Sequence, residues 1–558
     1  MTINSNIRVP GSYNEIDESG ANNRLPAYRQ PICIIAPRIA TPAGWVTLHE
    51  YSLGDKVAPV TPNGYYYICV VAGTSGASEP AWPAAGGTVV DGSTCTWREY
   101  VDASEIVAVH TPVKCYSADD GARYAGAGSI AHRMVRAAFM QYRYAEVTLI
   151  TVDDDIEQGG TGVYSTATVT FSGTATGSGR LECRIGNDLA RTAWSDGATA
   201  VEVAWSLDAV LAALHDLPVT PRAAEGASDT GIVTLVNKNA GVPGSETGKY
   251  NTTATKHLPA ITIYGDGITA AITGFISGGT NPDITDALTA ATAGEYALIA
   301  CPFRDTDNLD ALEAHLAAVS DENNCSGARA FVGITSSIAL ATTAAARNNE
   351  RMHVGFVRKC RFPSYEIAAA FAAMHAQTGH PALPLNTMEM VNCDAPDETD
   401  RLEFNETNAL LYVGVTPFNA DSTGAVRCIR SITTYLTNAA GSLDDTYLDT
   451  TVVACLDYLR KSIKSAHELN FTRCVLRENH VDGEPDFVVT PDDIRSFNIA
   501  KCKQLEQYGV CQQVDVLKPQ FVSARDAAVA GRVNSDIPVE VVQGLHILAN
   551  TIRLTTTV

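Results

Sequence analysis

Positive charge is what this sequence has least of. Of its 558 residues only 40 are Lys or Arg, against 62 Asp or Glu, and charged residues together reach 18%. That is below the roughly 25% of an average soluble protein. The formal net charge of -22 has no basic block to offset it, so a phosphate backbone is repelled and nucleic-acid binding is argued against. Long apolar runs are also missing. Runs such as residues 32–36 are short and broken, far from the roughly 18 residues of a membrane span. The first eight residues are polar where a signal peptide needs an apolar stretch, so the chain is expected to be made in the cytosol and to stay soluble. Cysteine is not scarce, at 14 residues, but no two stand in C-x-x-C spacing. That argues against zinc ribbons and thioredoxin-type redox chemistry. What is present is 45% hydrophobic residues, enough for several cores in a chain whose length suggests about three or four domains.

Along the chain, residues 1–30 are polar, broken by Pro10, Gly11 and Pro26, and read as an extended arm. Residues 31–43 and 101–152 carry a strand near 32–39, a strand-like run at 107–116, a capping-box start at Ser117 and Asp120, a helix through Ile130, Met134, Val135 and Ala138, and a strand at 146–152. This order opens an α/β core. Between them, residues 44–100 hold three of the five tryptophans with turn dipeptides such as Asn63-Gly64 and Asp91-Gly92, the pattern of a small aromatic β insertion. Residues 153–280, rich in Thr, Gly, Ser and Val, read as a mostly-β inserted domain with one helix at 206–214. The α/β alternation returns over 281–409. Residues 410–545 begin with strand signals at 410–415 and 426–431, continue with helices at 449–466 and behind the Thr490 cap, and are followed by strand-like runs at 510–523 and 537–542. They read as an α+β C-terminal assembly domain, and 546–558 as an arm strand with no partner of its own. The fold class expected is therefore α/β and α+β multidomain: an open core sheet with helices, two insertions, and extended terminal arms.

Chemistry is hard to find. Residues 241–250 look superficially like a phosphate-binding loop, but Pro243 replaces its first glycine and Tyr250 its Ser or Thr. His467-Glu468 is followed by Phe471 where a metalloprotease needs its second histidine. His375 and His380 have poor ligand spacing, and there is no G-x-S-x-G elbow. The acidic runs Asp153-Asp154-Asp155 and Asp444-Asp445 lack calcium-loop spacing and read as solvated loop ends. No catalytic, cofactor or metal residue is assigned. The aromatic insertion alone offers a ligand surface, with Trp45, Tyr66, Trp82 and Trp97 either facing a glycan or forming the module's own core. Bare strand segments at both ends would be aggregation hazards in a monomer. They make sense as assembly arms, through Ile7, Val9, Tyr13 and Ile16 at one end and Leu548, Ile552 and Leu554 at the other, completed by a neighbour's sheet. Cys33, Cys428, Cys474, Cys502 and Cys511 are candidates for disulfides that lock subunits together, and Cys69 with Cys95 for one inside the insertion.

The segments NIRVPGSYNEID and LPAYRQPICIIAPRIA, then VKCYSADDGARYAGAGSIAHRMVRAAF, resemble the opening of tail sheath proteins from Mu-like contractile-tail bacteriophages. Tyr124 stands for that family's Phe in the turn before Ser129, with an added Ala. The most specific match is RSITTYLTNAAGSLDDTYLDTTVVACLDYLRKSI, continued by VVTPDDIRSFNIAKCKQLEQYGV. The resemblance implies a subunit that stacks as six-fold rings around a tail tube and contracts to drive the tube through a bacterial envelope. It also implies tube, baseplate and tail terminator proteins as partners, with no nucleic acid, membrane insertion or cofactor. Assembly in the host cytoplasm and a place in the virion follow, as does an acceptor sheet for the arms near 410–431 and 510–523. A glycan-binding tail protein and a phage-encoded hydrolase are the rival classes.

Overall fold

Runs of Ile, Val, Leu and Ala too short for helices pair side by side into one sheet. Its strands are Ile32–Pro37 (β1), Val113–Cys115 (β2), Val147–Val152 (β3), Leu298–Ala300 (β4), Arg329–Ile334 (β5), Met352–Val357 (β6), Val415–Ala420 (β7) and Val426–Cys428 (β8), ordered β8-β7-β6-β5-β4-β1-β3-β2. The six from β7 to β3 are parallel, and an antiparallel strand closes each edge. β1, β3, β5 and β6 are buried at every position, as a parallel sheet covered on both faces requires. Side chains alternate between the faces. Ile32, Ile34 and Ala36 meet helices Ile130–Gln141 and Ser364–Gln377, while Cys33 and Ile35 meet Thr285–Ala291 and Thr306–Val319. Helix Ser364–Gln377 lies directly on β5 because Gly333 has no side chain. A Cβ there would stand 2.1 Å from the Ser364 carbonyl oxygen.

This computed structural model describes residues 25–83, 87–223, 230–322, 324–325, 327–483, 485 and 487–554. They divide into a larger unit, Arg29–Gly379 with Pro384–Thr450 and the segment from Leu545, and a smaller one comprising the chain up to Tyr28, His380–Leu383 and Thr451–Gly544.

In the larger unit the Ser117–Asp120 capping box is present and Gly126, at φ 86°, ends its helix. Three sequence expectations change. The run 107–116 shortens to β2, because Val107 and His110 donate to the Tyr124 and Thr151 carbonyls rather than to a ladder. Residues 410–415 are not a strand. A capping box between Glu403 and Glu406 starts helix Phe404–Tyr412, and β7 begins at Val415. Residues 410–428, grouped by sequence with the C-terminal domain, therefore belong to the edge of the main sheet. The inserted domain packs a four-stranded antiparallel sheet (Val219–Ala223, Ile232–Asn237, Thr166–Gly173, Ile268–Ile272) and a three-stranded one (Asp188–Trp194, Gly179–Ile185, Ala260–Tyr264) around a single core. Its helix runs Ala200–Ala212, six residues earlier than expected, because Thr199 and Glu202 form a capping box. The aromatic insertion is a four-stranded sheet of Lys56–Val57, Tyr65–Val71, Cys95–Asp102 and Thr88–Asp91.

The smaller unit is built on helices Thr450–Phe471 and Pro491–Tyr508, packed through Cys455, Leu459, Ile499, Cys502 and Leu505. Leu25 and Tyr28 join this core, and the Tyr458 hydroxyl donates to the Pro26 carbonyl at 2.7 Å. Thr490 caps the second helix and Gly509, left-handed at φ 86°, ends it. Beyond it the expected long strand is cut into pieces: Cys511–Gln512, a helical turn at Val514–Leu517, and the hairpin Val522–Arg525 with Val533–Asp536.

The larger unit buries four histidines in neutral form. His353 and His375 lie against Phe331 and Phe371, facing the Ile432 carbonyl at 3.3 Å and the Ser431 hydroxyl at 3.2 Å. His132 Nδ1 accepts from the Gly128 N–H at 2.9 Å. Burial lowers His132 and His353 to about 3, each helped by neighbouring arginines, and lowers His257 to about 4; His375 is also well below its usual value. Burial raises Asp154 and Glu366 in the opposite sense. The unfolded chain takes up protons on these imidazoles near pH 6.5 and the folded chain only well below that, near pH 3–4 for His132, His257 and His353, so stability falls as pH drops below 6.5. Each histidine contributes a slope of up to about 1.4 kcal/mol per pH unit, partly offset by the two carboxyls. Urea midpoints measured at pH 7.5 and pH 5 should show a markedly less stable subunit at pH 5. Equal midpoints contradict this.

Candidate assembly surfaces and the sealed crevice

In open α/β sheets, ligands bind in the crevice beyond the carboxyl ends of the parallel strands. The inserted domain packs across that crevice. Behind β1, Arg38 Nε pairs with Asp153 Oδ1 at 2.9 Å just past β3. Next to it Asp154, fully buried, accepts from Asn239 Nδ2 and the Ala240 N–H, both at 3.1 Å. Behind β4, Arg304 forms a two-pronged pair with Glu246 of the inserted domain, one prong at 2.9 Å, and Ser364 Oγ donates to the same carboxylate. Behind β5, Thr335 Oγ1 faces His257 Nε2 at 3.5 Å. Behind β6, Lys359 and the inserted domain's Lys249 share Asp400 at 2.7 and 2.8 Å. Asp153, Asp154 and Asp155 are thus not solvated loop ends: the last two are buried and tie the strand end to the inserted domain. The loop resembling a phosphate cradle is a short 3-10 turn, Pro243–Glu246, whose Glu246 faces Arg304. Among the described residues no group of three or more His, Cys, Asp or Glu could hold a metal ion, and no helix is long and apolar enough to cross a membrane.

Both insertions leave the sheet at the same end, since Pro37 and Val152 are register partners at the ends of neighbouring parallel strands. They meet each other. Arg98 of the aromatic insertion pairs with Asp208 on the inserted domain's helix at 2.8 Å and donates to the Pro221 carbonyl at 3.0 Å. Lys56 sits 4.2 Å above the Tyr164 ring. The aromatic residues considered for glycan contact are turned mostly inward. Trp45 and Trp97 are buried and donate their indole N–H groups to the buried Asp91 at 2.8 and 3.0 Å. Trp82 stacks on Tyr67 with ring centroids 4.4 Å apart and donates to Glu79. Tyr66 is half-buried, its hydroxyl donating to Thr41.

The cysteines change the locking expectation. All 14 are free, and Cys33, Cys428, Cys502 and Cys511 are buried inside their own units. A thiol in a core presents nothing to a neighbouring subunit. Cys474 is half-buried. Cys69 and Cys95 face one another in the insertion's core at 4.0 Å, not at bonding distance.

Exposed apolar side chains are scattered over the described residues, Tyr116, Phe404 and Leu443 among them, and several fall in the last described segment. Ile7, Val9, Tyr13 and Ile16 fall outside the described residues. From 545 to 554 the chain is irregular, held at His546 by Asn386 (2.9 Å) and Asp449 (3.3 Å). Leu548, Ile552 and Leu554 beyond it are 69%, 95% and 91% exposed. In the smaller unit the four-residue hairpin Val522–Arg525 and Val533–Asp536 pairs only with itself, and a lone two-stranded ribbon is marginal in water.

The exposed apolar segment 545–554 and the open edges of the 522–536 hairpin are surfaces suited to association. A profile of the phage tail sheath protein central domain matches residues 277–434, and one of the phage tail sheath C-terminal domain matches residues 442–555. The Mu-like prophage FluMu tail sheath protein of Haemophilus influenzae is 30% identical over 384 residues, covering 68% of this chain and 76% of that protein. Among solved structures, the sheath tail protein of Desulfitobacterium hafniense is 14% identical with a TM-score of 0.40, over 78% of this chain and 94% of the other. That of Listeria innocua is 11% identical with a TM-score of 0.41, over 94% and 97%. The chain belongs to the phage tail sheath protein family. It is a subunit of a contractile phage tail sheath, a structural protein and not an enzyme.

The seal itself can be tested. Glu246→Ala leaves the Arg304 guanidinium, its side chain 8% exposed, buried without its carboxylate. Such a break costs about 3–5 kcal/mol, whereas replacing both partners by apolar residues of similar volume is often near neutral. Urea unfolding should therefore find Glu246→Ala far less stable than the double variant Glu246→Leu/Arg304→Met. Equal losses in the two contradict the seal.

Proposed function

We propose that this subunit polymerises as stacked six-fold rings around a tail tube through exchange of its chain ends, and that contraction of the polymer drives the tube through a bacterial envelope. Assembly takes place in the host cytoplasm, with the tube, baseplate and tail terminator proteins as partners in the finished virion. The observation that carries this reading is the exposed segment 545–554, whose Leu548, Ile552 and Leu554 have no apolar cover, together with a hairpin at 522–536 that has free strand edges. An extended segment from one copy adds to an open edge on another by main-chain hydrogen bonds, with alternate side chains buried. The N-terminal residues Ile7, Val9, Tyr13 and Ile16 are assigned the same role at the other end. Contraction is then a change between two packings of one subunit, with free energy stored in the first and no nucleotide needed. The joined insertions, anchored at one end of the core sheet, face outward from the tube.

Deleting residues 546–558, or 1–20, should give subunits that keep their circular dichroism and unfolding midpoint yet sediment as monomers and form no cylinders in electron micrographs. Normal cylinders from either truncation contradict the arm assignment.

A further inference from the structure

We propose that Cys360 and Cys393 form an oxidisable dithiol, a disulfide site that fastens the strap of residues 387–397 over the carboxyl end of the sheet. The two sulfurs stand 3.3 Å apart, both buried. Cys360 follows β6 and is held from both sides: its thiol donates to the Asp394 carbonyl at 3.2 Å and its sulfur accepts from the Phe362 N–H at 3.2 Å. Cys393 lies in the middle of the strap, whose contacts reach from the helix layer and the sheet edge to the inserted domain. Val391 N–H donates to Gln141 of helix Ile130–Gln141 at 2.8 Å, and the Asn392 carbonyl accepts from Asn187 of the inserted domain. Asp394 pairs with Arg184 at 3.7 Å, and Asp397 with Lys249. Glu389 bridges to Arg427 on β8. The strap is thus a buckle between the core and the inserted domain, with the thiol pair at its centre.

The reaction consumes a low-molecular-weight disulfide such as oxidised glutathione. Both S–H bonds break, one bond forms between Cys360 and Cys393, and the two electrons and two protons leave on the oxidant as two thiols. Its hydrogen bond with Cys360 and its burial hold the Cys393 thiol protonated, so the bond forms slowly, as the strap opens. The sulfurs close a loop between positions 33 apart, and removing that chain freedom from the unfolded state stabilises the fold.

The test uses the full chain incubated with oxidised glutathione until the half-buried Cys325 and Cys474 are consumed. Remaining thiols are then alkylated in denaturant and the chain is digested without reductant. The expected product is a joined peptide pair containing Cys360 and Cys393, lighter by two hydrogens than the separate peptides. The thermal midpoint rises by several degrees, reversibly with dithiothreitol, and in C393S neither change occurs. Alkylation of both residues, or separate glutathione adducts on each, overturns the site. A joined pair with an unchanged midpoint overturns the fastening.

Discussion

The Arg304–Glu246 pair fixes where the inserted domain sits on the carboxyl end of the core sheet. A parallel sheet buried on both faces offers one place for chemistry, beyond the carboxyl ends of its strands. In this chain Arg304, Ser364, Thr335 and Lys359 at that end are engaged by Glu246, His257 and, through Asp400, Lys249. A crevice built from the same elements elsewhere to hold a substrate is occupied here by the protein's own inserted domain. Buried ion pairs are weak stabilisers against an apolar alternative. Their effect here is positional: a misplaced inserted domain would leave Arg304 and Asp154 without partners.

The same geometry accounts for the insertions lying together. β1 and β3 are adjacent and parallel, so chain leaving Pro37 and chain leaving Val152 start side by side, and Arg38 with Asp153 clips the two exits. Arg98 and Asp208 repeat the clip further out. The insertion's tryptophans serve that arrangement from inside, with two indole N–H groups converging on Asp91. A buried carboxylate of that kind organises so small a core more firmly than apolar packing alone.

Much of the fold was legible in the sequence, and the reasons for the rest are local. Strands buried on both faces announced themselves as apolar runs, and the helix starts at Ser117 and Thr490 followed from capping chemistry alone. The helix at 200–212 was read six residues late because its first turn, Ala200-Val201-Glu202-Val203, alternates as a strand does, although Thr199 and Glu202 were the available signal. The run at 410–415 misled because Leu410 and Leu411 sit at the end of a helix with an unusual Glu403 cap. The sealing contacts were out of reach: Glu246 and Arg304 are 58 positions apart, and Arg133 and Glu366 are 233 apart. Neither pair has a spacing rule. Cys360 and Cys393 were invisible for the same reason, while Cys33, Cys428, Cys502 and Cys511 near the expected interfaces are core residues.

The inserted domain packed on the carboxyl end of the sheet and the exposed apolar segment 545–554 are the two features on which the proposed assembly turns. The most direct measurement is a cryo-electron microscopy reconstruction of the assembled polymer, traced through residues 545–554. The account predicts that this segment runs extended onto a neighbouring subunit and hydrogen-bonds to an edge of the 522–536 hairpin there. A segment folded back on its own subunit, with the hairpin edges left bare between copies, would contradict it.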